Sequence, residues 1–115
     1  MPELPEVETI CRQLGPEITN RTVIAAGSHE SGKFSPARKA KGKRFLQLRR
    51  RGKYLLAELD DQTELIVHLG MTGQLKVMET DNQRSVGSDY ERAWWVLDNN
   101  KTIIFRDVRR FGRIA

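Results

Sequence analysis

Residues 53–70 read KYLLAELDDQTELIVHLG. Two apolar runs, KYLLAEL and ELIVHLG, flank Asp60-Asp61-Gln62, where aspartates favour a tight reversal of the chain by bonding to their own backbone. Each run has the length of a strand rather than of a helix, so the stretch predicts an antiparallel β-hairpin. The signature recurs outward in both directions: RTVIAA (21–26), RFLQLR (44–49), QLKVM (74–78), AWWVLD (93–98) and TIIFRD (102–107) are short apolar or alternating runs. Asp98-Asn99-Asn100-Lys101 predicts a second hairpin turn, whereas Gly32 to Gly42 and Asp81 to Asp89 read as longer loops.

Only the first twenty residues break the pattern. In PEVETICRQLGPEI (5–18), Val7, Ile10, Cys11 and Leu14 fall at i, i+3, i+4 and i+7, the stripe of a helix with one buried face. Pro5 suits its first position, and Gly15-Pro16 is expected to end it. The fold class is therefore α+β, mainly β: an N-terminal helix packed on an antiparallel two-sheet β-sandwich or a barrel. The chain stops at FGRIA (111–115), where an apolar run is starting, so the expectation is one domain of a longer protein.

At 115 residues the chain suits a single core. Its hydrophobic fraction of 38% and charged fraction of 30% predict a soluble protein with a modest core. The net charge of +5 favours a polyanionic partner, and its distribution sharpens that expectation. From Ser31 to Ala57 there is no acidic residue, while Lys33, Arg38, Lys39, Lys41, Lys43, Arg44, Arg49, Arg50, Arg51 and Lys53 hold half of the basic ones. Such a run repels itself unless an anion lies nearby, and counterion release from bound phosphates supplies the gain. The single cysteine, Cys11, excludes an intrachain disulfide. His29 and His68 are isolated, so no metal is expected. With neither a signal peptide nor a long apolar run, the expected location is the cytoplasm and no membrane partner is expected.

The terminus MPELPEVE (1–8) carries the most reactive candidate. Removal of Met1 before a small residue leaves Pro2 as a secondary amine, a nucleophile when deprotonated. The reference α-amino pKa of roughly 8 already gives a neutral fraction at neutral pH. A helix N-terminus lowers that pKa and the nearby Glu3 and Glu6 raise it, and the sequence leaves the balance open. Attack of the amine on a sugar C1′ or a carbonyl gives an iminium, the Schiff-base form of covalent catalysis. The plainer reading is a Met-Pro start followed by glutamates that cap a helix. Two glycine-bounded segments add to the reactive reading. Met71 in HLGMTGQL and Phe111 in RDVRRFG are bulky side chains at tight turns, either lids on the core or wedges that fill the space left when a base is extracted. Arg109 has donors that match the O2 and N3 acceptors of an unpaired cytosine.

MPELPEVETI, RRRGKYLL, HLGMTGQL and DVRRFG, in this order and spacing, closely resemble the N-terminal half of bacterial formamidopyrimidine-DNA glycosylases. The motifs cover nearly the whole chain. The resemblance implies that residues 1–115 are the catalytic N-terminal domain of a bifunctional repair enzyme. That enzyme excises oxidised purines such as 8-oxoguanine and formamidopyrimidines, then nicks the strand by β,δ-elimination. It implies Pro2 as the nucleophile, Glu3 as the general acid/base, Glu6 as a supporting carboxylate and Lys53 as the hairpin lysine that approaches the lesion and its phosphate. His68 matches a phosphate contact. Met71, Arg109 and Phe111 match the residues inserted where the damaged base has left, with Arg109 facing the orphaned cytosine.

The implied partner is double-stranded DNA containing oxidised bases or abasic sites, met by a monomer near the bacterial nucleoid. No cofactor is implied in this chain, because the family's structural zinc lies in a C-terminal domain outside it, as does the helix-two-turn-helix region. With those elements missing, little activity is expected of these residues alone. The chain departs from the family pattern at Val108, where proline is common, and at SDYERAWW, where a stretch with histidine and aspartate is common. Val108 implies a less rigid loop for Arg109 and Phe111. Two other classes compete: small tautomerases, which also start Met-Pro but have no need of the cationic run, and non-enzymatic basic modules that bind nucleic acid.

Overall fold

Short runs, some alternating and some continuously buried, make the eight strands, and one 3.6-residue stripe the only α-helix, among the described residues. The computed structural model describes residues 4–29, 32–70, 73–80, 90–107 and 112–115, with the side chains of 4–6 excepted. The helix α1 spans Leu4–Ile18. The strands are β1 (Val23–Ser28), β2 (Phe45–Arg51), β3 (Tyr54–Leu59), β4 (Glu64–His68), β5 (Gly73–Glu79), β6 (Glu91–Leu97), β7 (Lys101–Asp107) and β8 (Arg113–Ile114). They form two antiparallel four-stranded sheets, ordered β1-β6-β7-β5 and β2-β3-β4-β8. The predicted hairpins are β3–β4 and β6–β7, and their turns place Gln62 and Asn100 at positive φ. The predicted loop 81–89 lies outside the described residues. None of the described helices is long and apolar enough to cross a membrane.

Two expectations are corrected. The helix does not end at Gly15-Pro16 but runs through Pro16 to Ile18. Ile18 continues the stripe four residues after Leu14, and both are buried, so their packing outweighs the intrahelical hydrogen bond that Pro16 cannot make. The stop comes at Asn20, which takes φ 66 and donates its N–H to the Phe45 carbonyl in β2 at 2.7 Å. The second correction concerns 32–42, where Ser35–Ala40 form a 3₁₀ helix. Phe34, Ala37 and Ala40 are fully buried. Their spacing of three matches a helix with three residues per turn, so one edge of it faces the core. The Trp95 indole N–H, buried in β6, donates to the Ala37 carbonyl at 2.9 Å.

The 3₁₀ helix packs on β1 and β6 of one sheet and on β4 and β8 of the other, whereas α1 packs on β2, β3 and β5. Each therefore spans both sheets. Between the sheets lies one apolar core that includes Leu55, Leu59, Leu69, Leu97 and Phe105.

Candidate active site

Strand register brings one end of the molecule together. Tyr54 at the start of β3 pairs with Arg51 of β2 on one side and with His68 of β4 on the other, and His68 pairs in turn with Arg113 of β8. In the other sheet, Gly73 at the start of β5 pairs with Asp107 at the end of β7. Two connections cross between the sheets at this end: 69–73 joins β4 to β5, and 107–112 joins β7 to β8. Their stems are tightly drawn. The Gly73 N–H donates to the Leu69 carbonyl at 2.8 Å, and a Cβ on Gly73 would run into that same carbonyl, which excludes any larger residue without a backbone shift. The Gly112 N–H donates to the Asp107 carboxylate at 2.6 Å.

The helix delivers its start to this end as well. Asn20, just past α1, bonds to Phe45; the Cys11 thiol lies 3.5 Å from the Leu48 carbonyl; and Glu8 pairs with Arg50 at 2.9 Å. From Asn20 back to Glu8 the helix travels ~18 Å, and from Phe45 to Arg50 the strand travels ~17 Å. Leu4, one turn earlier, is thereby carried level with the Gly52-Lys53 turn.

Of the predicted site residues, Lys53 is exposed at the tip of the β2–β3 hairpin, where Gly52 takes φ 61 and Arg50 braces the turn by donating to the Gly52 carbonyl at 3.1 Å. His68 is half-buried, its ring 5.1 Å from that of Tyr54. A groove of 420 Å³ beside it is lined by Lys33, Tyr54, Ile66, His68 and Arg113, with no acidic side chain. Glu6 falls in the first turn of α1, but its side chain is outside the description, and Pro2, Glu3, Met71, Arg109 and Phe111 lie outside the described residues altogether. The predicted residues are thus gathered only as far as Lys53, His68 and the stems that lead to the others.

The cationic run is less bare than its sequence implied. Lys43 pairs with Asp61 at 2.7 Å, Arg49 with Glu58 and Glu64 at 3.0 Å each, and Arg50 with Glu8. The Arg50 guanidinium, with help from Arg12, holds the Glu8 carboxyl below its ordinary pKa, while burial and the Glu8 charge push the Cys11 thiol up. Lys39, Lys41, Arg44 and Arg51 take part in no salt bridge among the described residues. Sequence reasoning passed over Tyr54, Arg92 and Asp107. The signal for Asp107 was a charged residue closing the apolar strand TIIFRD just before a glycine-bounded turn.

Residues 1–114 match the family model described as the formamidopyrimidine-DNA glycosylase N-terminal domain. The chain belongs to the formamidopyrimidine-DNA glycosylase family. It is 40% identical over 114 residues to the formamidopyrimidine-DNA glycosylase of Thermus thermophilus, covering 99% of this chain and 39% of that protein. The Herpetosiphon aurantiacus glycosylase is 41% identical over 122 residues, covering 98% and 43% respectively. The crystal structure of the T. thermophilus protein superposes with a TM-score of 0.82 at 39% identity, over 98% of this chain and 39% of that one. The Lactococcus lactis glycosylase, solved with abasic-site DNA, gives 0.85 at 30% identity, over 98% and 43%. The chain therefore spans about two-fifths of the length of the glycosylases it matches.

Proposed function

We propose that this chain supplies the reacting part of a base-excision repair enzyme, a DNA glycosylase and abasic-site lyase acting on oxidised purines such as 8-oxoguanine and formamidopyrimidines. Its partner is double-stranded DNA containing such bases or abasic sites, met by a cytoplasmic monomer. The neutral Pro2 amine attacks C1′; the N–C1′ bond forms as the bond to the base breaks, and ring opening gives the iminium. Glu3 protonates the sugar-ring oxygen and then moves the elimination protons, with Glu6 supporting the terminus. Lys53 approaches the lesion and its phosphate, and His68 contacts a phosphate. Met71, Arg109 and Phe111 fill the gap left by the base, with Arg109 donating to the orphaned cytosine. An amine nucleophile needs no metal or cofactor from these residues.

The observation that carries the reading is the convergence of the start of α1, the Lys53 turn, His68 and both inter-sheet stems at one end of the sandwich. The test is borohydride trapping after mass spectrometry has shown whether Met1 is removed. The 115-residue chain is expected to trap slowly on DNA that already contains an abasic site. It should release little 8-oxoguanine from a duplex, because base release needs the flipped nucleotide held in place. Salt-dependent DNA binding without trapping by the Met1-free chain would replace the enzyme with a non-enzymatic binding module.

A further inference from the structure

Along its strands, the outer face of the second sheet changes from acidic to basic. Leu55, Ala57, Leu65, Val67 and Ile114 belong to the core, so the residues that alternate with them point the other way. Strand register sorts these outward residues into rows that cross the sheet. At one end Gln47, Glu58 and Glu64 lie side by side, and Arg49 bonds to both glutamates, so its charge is already neutralised. In the middle Leu56 pairs with Ile66. At the end that carries the Lys53 turn, the row is Arg51, Tyr54, His68 and Arg113, with no carboxylate in it.

This last row is open to a partner. Arg51 and Arg113 are exposed, and neither takes part in a salt bridge among the described residues. Tyr54 is 47% exposed, with its ring tilted by 38° against that of His68. The Lys33 carbonyl accepts the Ile114 N–H at 2.7 Å, which lays residue 33 beyond β8 and extends the cationic line past Arg113. Three strand spacings of ~4.8 Å separate Arg51 from Arg113 by ~14 Å, the rise of about four base pairs. A single small anion cannot span that distance. A phosphodiester chain repeats its charge along it.

We propose that this row is a track for one DNA strand, which runs across β2, β3, β4 and β8 rather than along them. Arg51, His68 and Arg113 face successive stretches of the backbone, and the exposed Tyr54 ring is covered by the sugars between the phosphates. From the Lys53 turn the strand leads towards β8, so Arg113 meets the backbone to one side of the lesion. The glutamate row repels it from the rest of the face. The proposal rests on the DNA reading above and does not depend on the Schiff base.

The test is equilibrium binding of the 115-residue chain to a duplex with one reduced abasic site, which has no aldehyde for an amine to attack. Arg113→Ala should weaken binding several-fold and lower the magnitude of the slope of log affinity against log salt by about 1. Arg113→Lys, which keeps the charge, should keep the slope. Lys41→Ala removes an equal charge from an exposed residue at the opposite end of the sheet, near the Lys43–Asp61 pair, and should change the slope little. Single methylphosphonate linkages then locate the contact. Arg113 lies two strand spacings from Tyr54, so on one side of the abasic site, within about three nucleotides, one neutral linkage should cost the wild-type chain affinity and cost Arg113→Ala none. An unchanged slope in Arg113→Ala, an equal effect of Lys41→Ala, or linkage costs that are the same in both chains would each overturn the track and leave the DNA reading standing. If the wild-type chain shows no salt-dependent binding to DNA, the DNA reading itself fails and the track falls with it.

Discussion

At the scale of single residues, charge pairing decides how much of the basic surface is available. Asp61 accepts from Lys43 Nζ and from the Thr63 hydroxyl and N–H, and the lysine first and the threonine second lower its pKa to about 2. Because the folded-state value lies below that of a free carboxylate, this ion pair stabilises the fold above pH ~4, and its contribution is lost as the pH falls through the folded value. Asp61→Asn should therefore be less stable than wild type at pH 7, with the gap closing towards pH 2. Urea unfolding across that range checks it, and a gap independent of pH would contradict it. Lys53 is exposed at the tip of the β2–β3 hairpin. Lys53→Ala should leave the melting temperature unchanged while slowing trapping on abasic DNA by at least about a hundredfold if it moves a proton in the reaction, the low end of what general acid–base catalysis contributes.

At the scale of elements, two glycines with opposite surroundings give opposite expectations. Gly15 lies inside α1 with open space where a Cβ would go, so Gly15→Ala should stabilise the chain by about 0.5–1 kcal/mol. Gly73 is pressed against the Leu69 carbonyl, so Gly73→Ala must displace the 69–73 turn or the Gly73–Asp107 pairing, at a cost of about 1–3 kcal/mol. Denaturant midpoints of both variants test this. Most elements were legible because their signals are local: the stripe Val7–Ile10–Cys11–Leu14, the alternation along the strands, and aspartates and asparagines at the two hairpin turns. The 3₁₀ helix was missed because its three-residue period, Phe34–Ala37–Ala40, is hidden among glycines, lysines and a proline that read as loop. The overrun of α1 past Pro16 was missed because Ile18 outweighs a breaker only when it has a core to enter.

At the scale of the molecule, the site was legible as motifs and not as a place. Lys53, His68 and DVRRFG could be named from sequence, but the pairing of Tyr54 with His68 and of Gly73 with Asp107 depends on long-range register that no local pattern encodes. The same is true of the electrostatics, since the partners of Arg49 and Arg50 sit in other elements. Duplex binding should separate the two kinds of cation. Arg51→Ala should lower the magnitude of the slope of log affinity against log salt by about 1. Arg50→Ala, which removes a cation already neutralised by Glu8, should change the slope little. Equal effects from both would mean that the internal pairs open on DNA.

The strand order also bears on how the chain comes into being. β1 sits at one sheet edge and its partner is β6, with Ala26 opposite Trp95. At ~10 residues per second of synthesis, about 7 s separate the appearance of those two residues from the ribosome. Throughout that interval β1 has no strand to bond to, and the first sheet cannot close until the second Trp and the β6–β7 hairpin are made. The edge strand β1, made early, is thus among the last elements to be paired, whereas α1 finds its partners in β2, β3 and β5 sooner. A nascent chain halted after β5 would hold α1 on β2 and β3 but leave β1 and β5 without the strands they pair with.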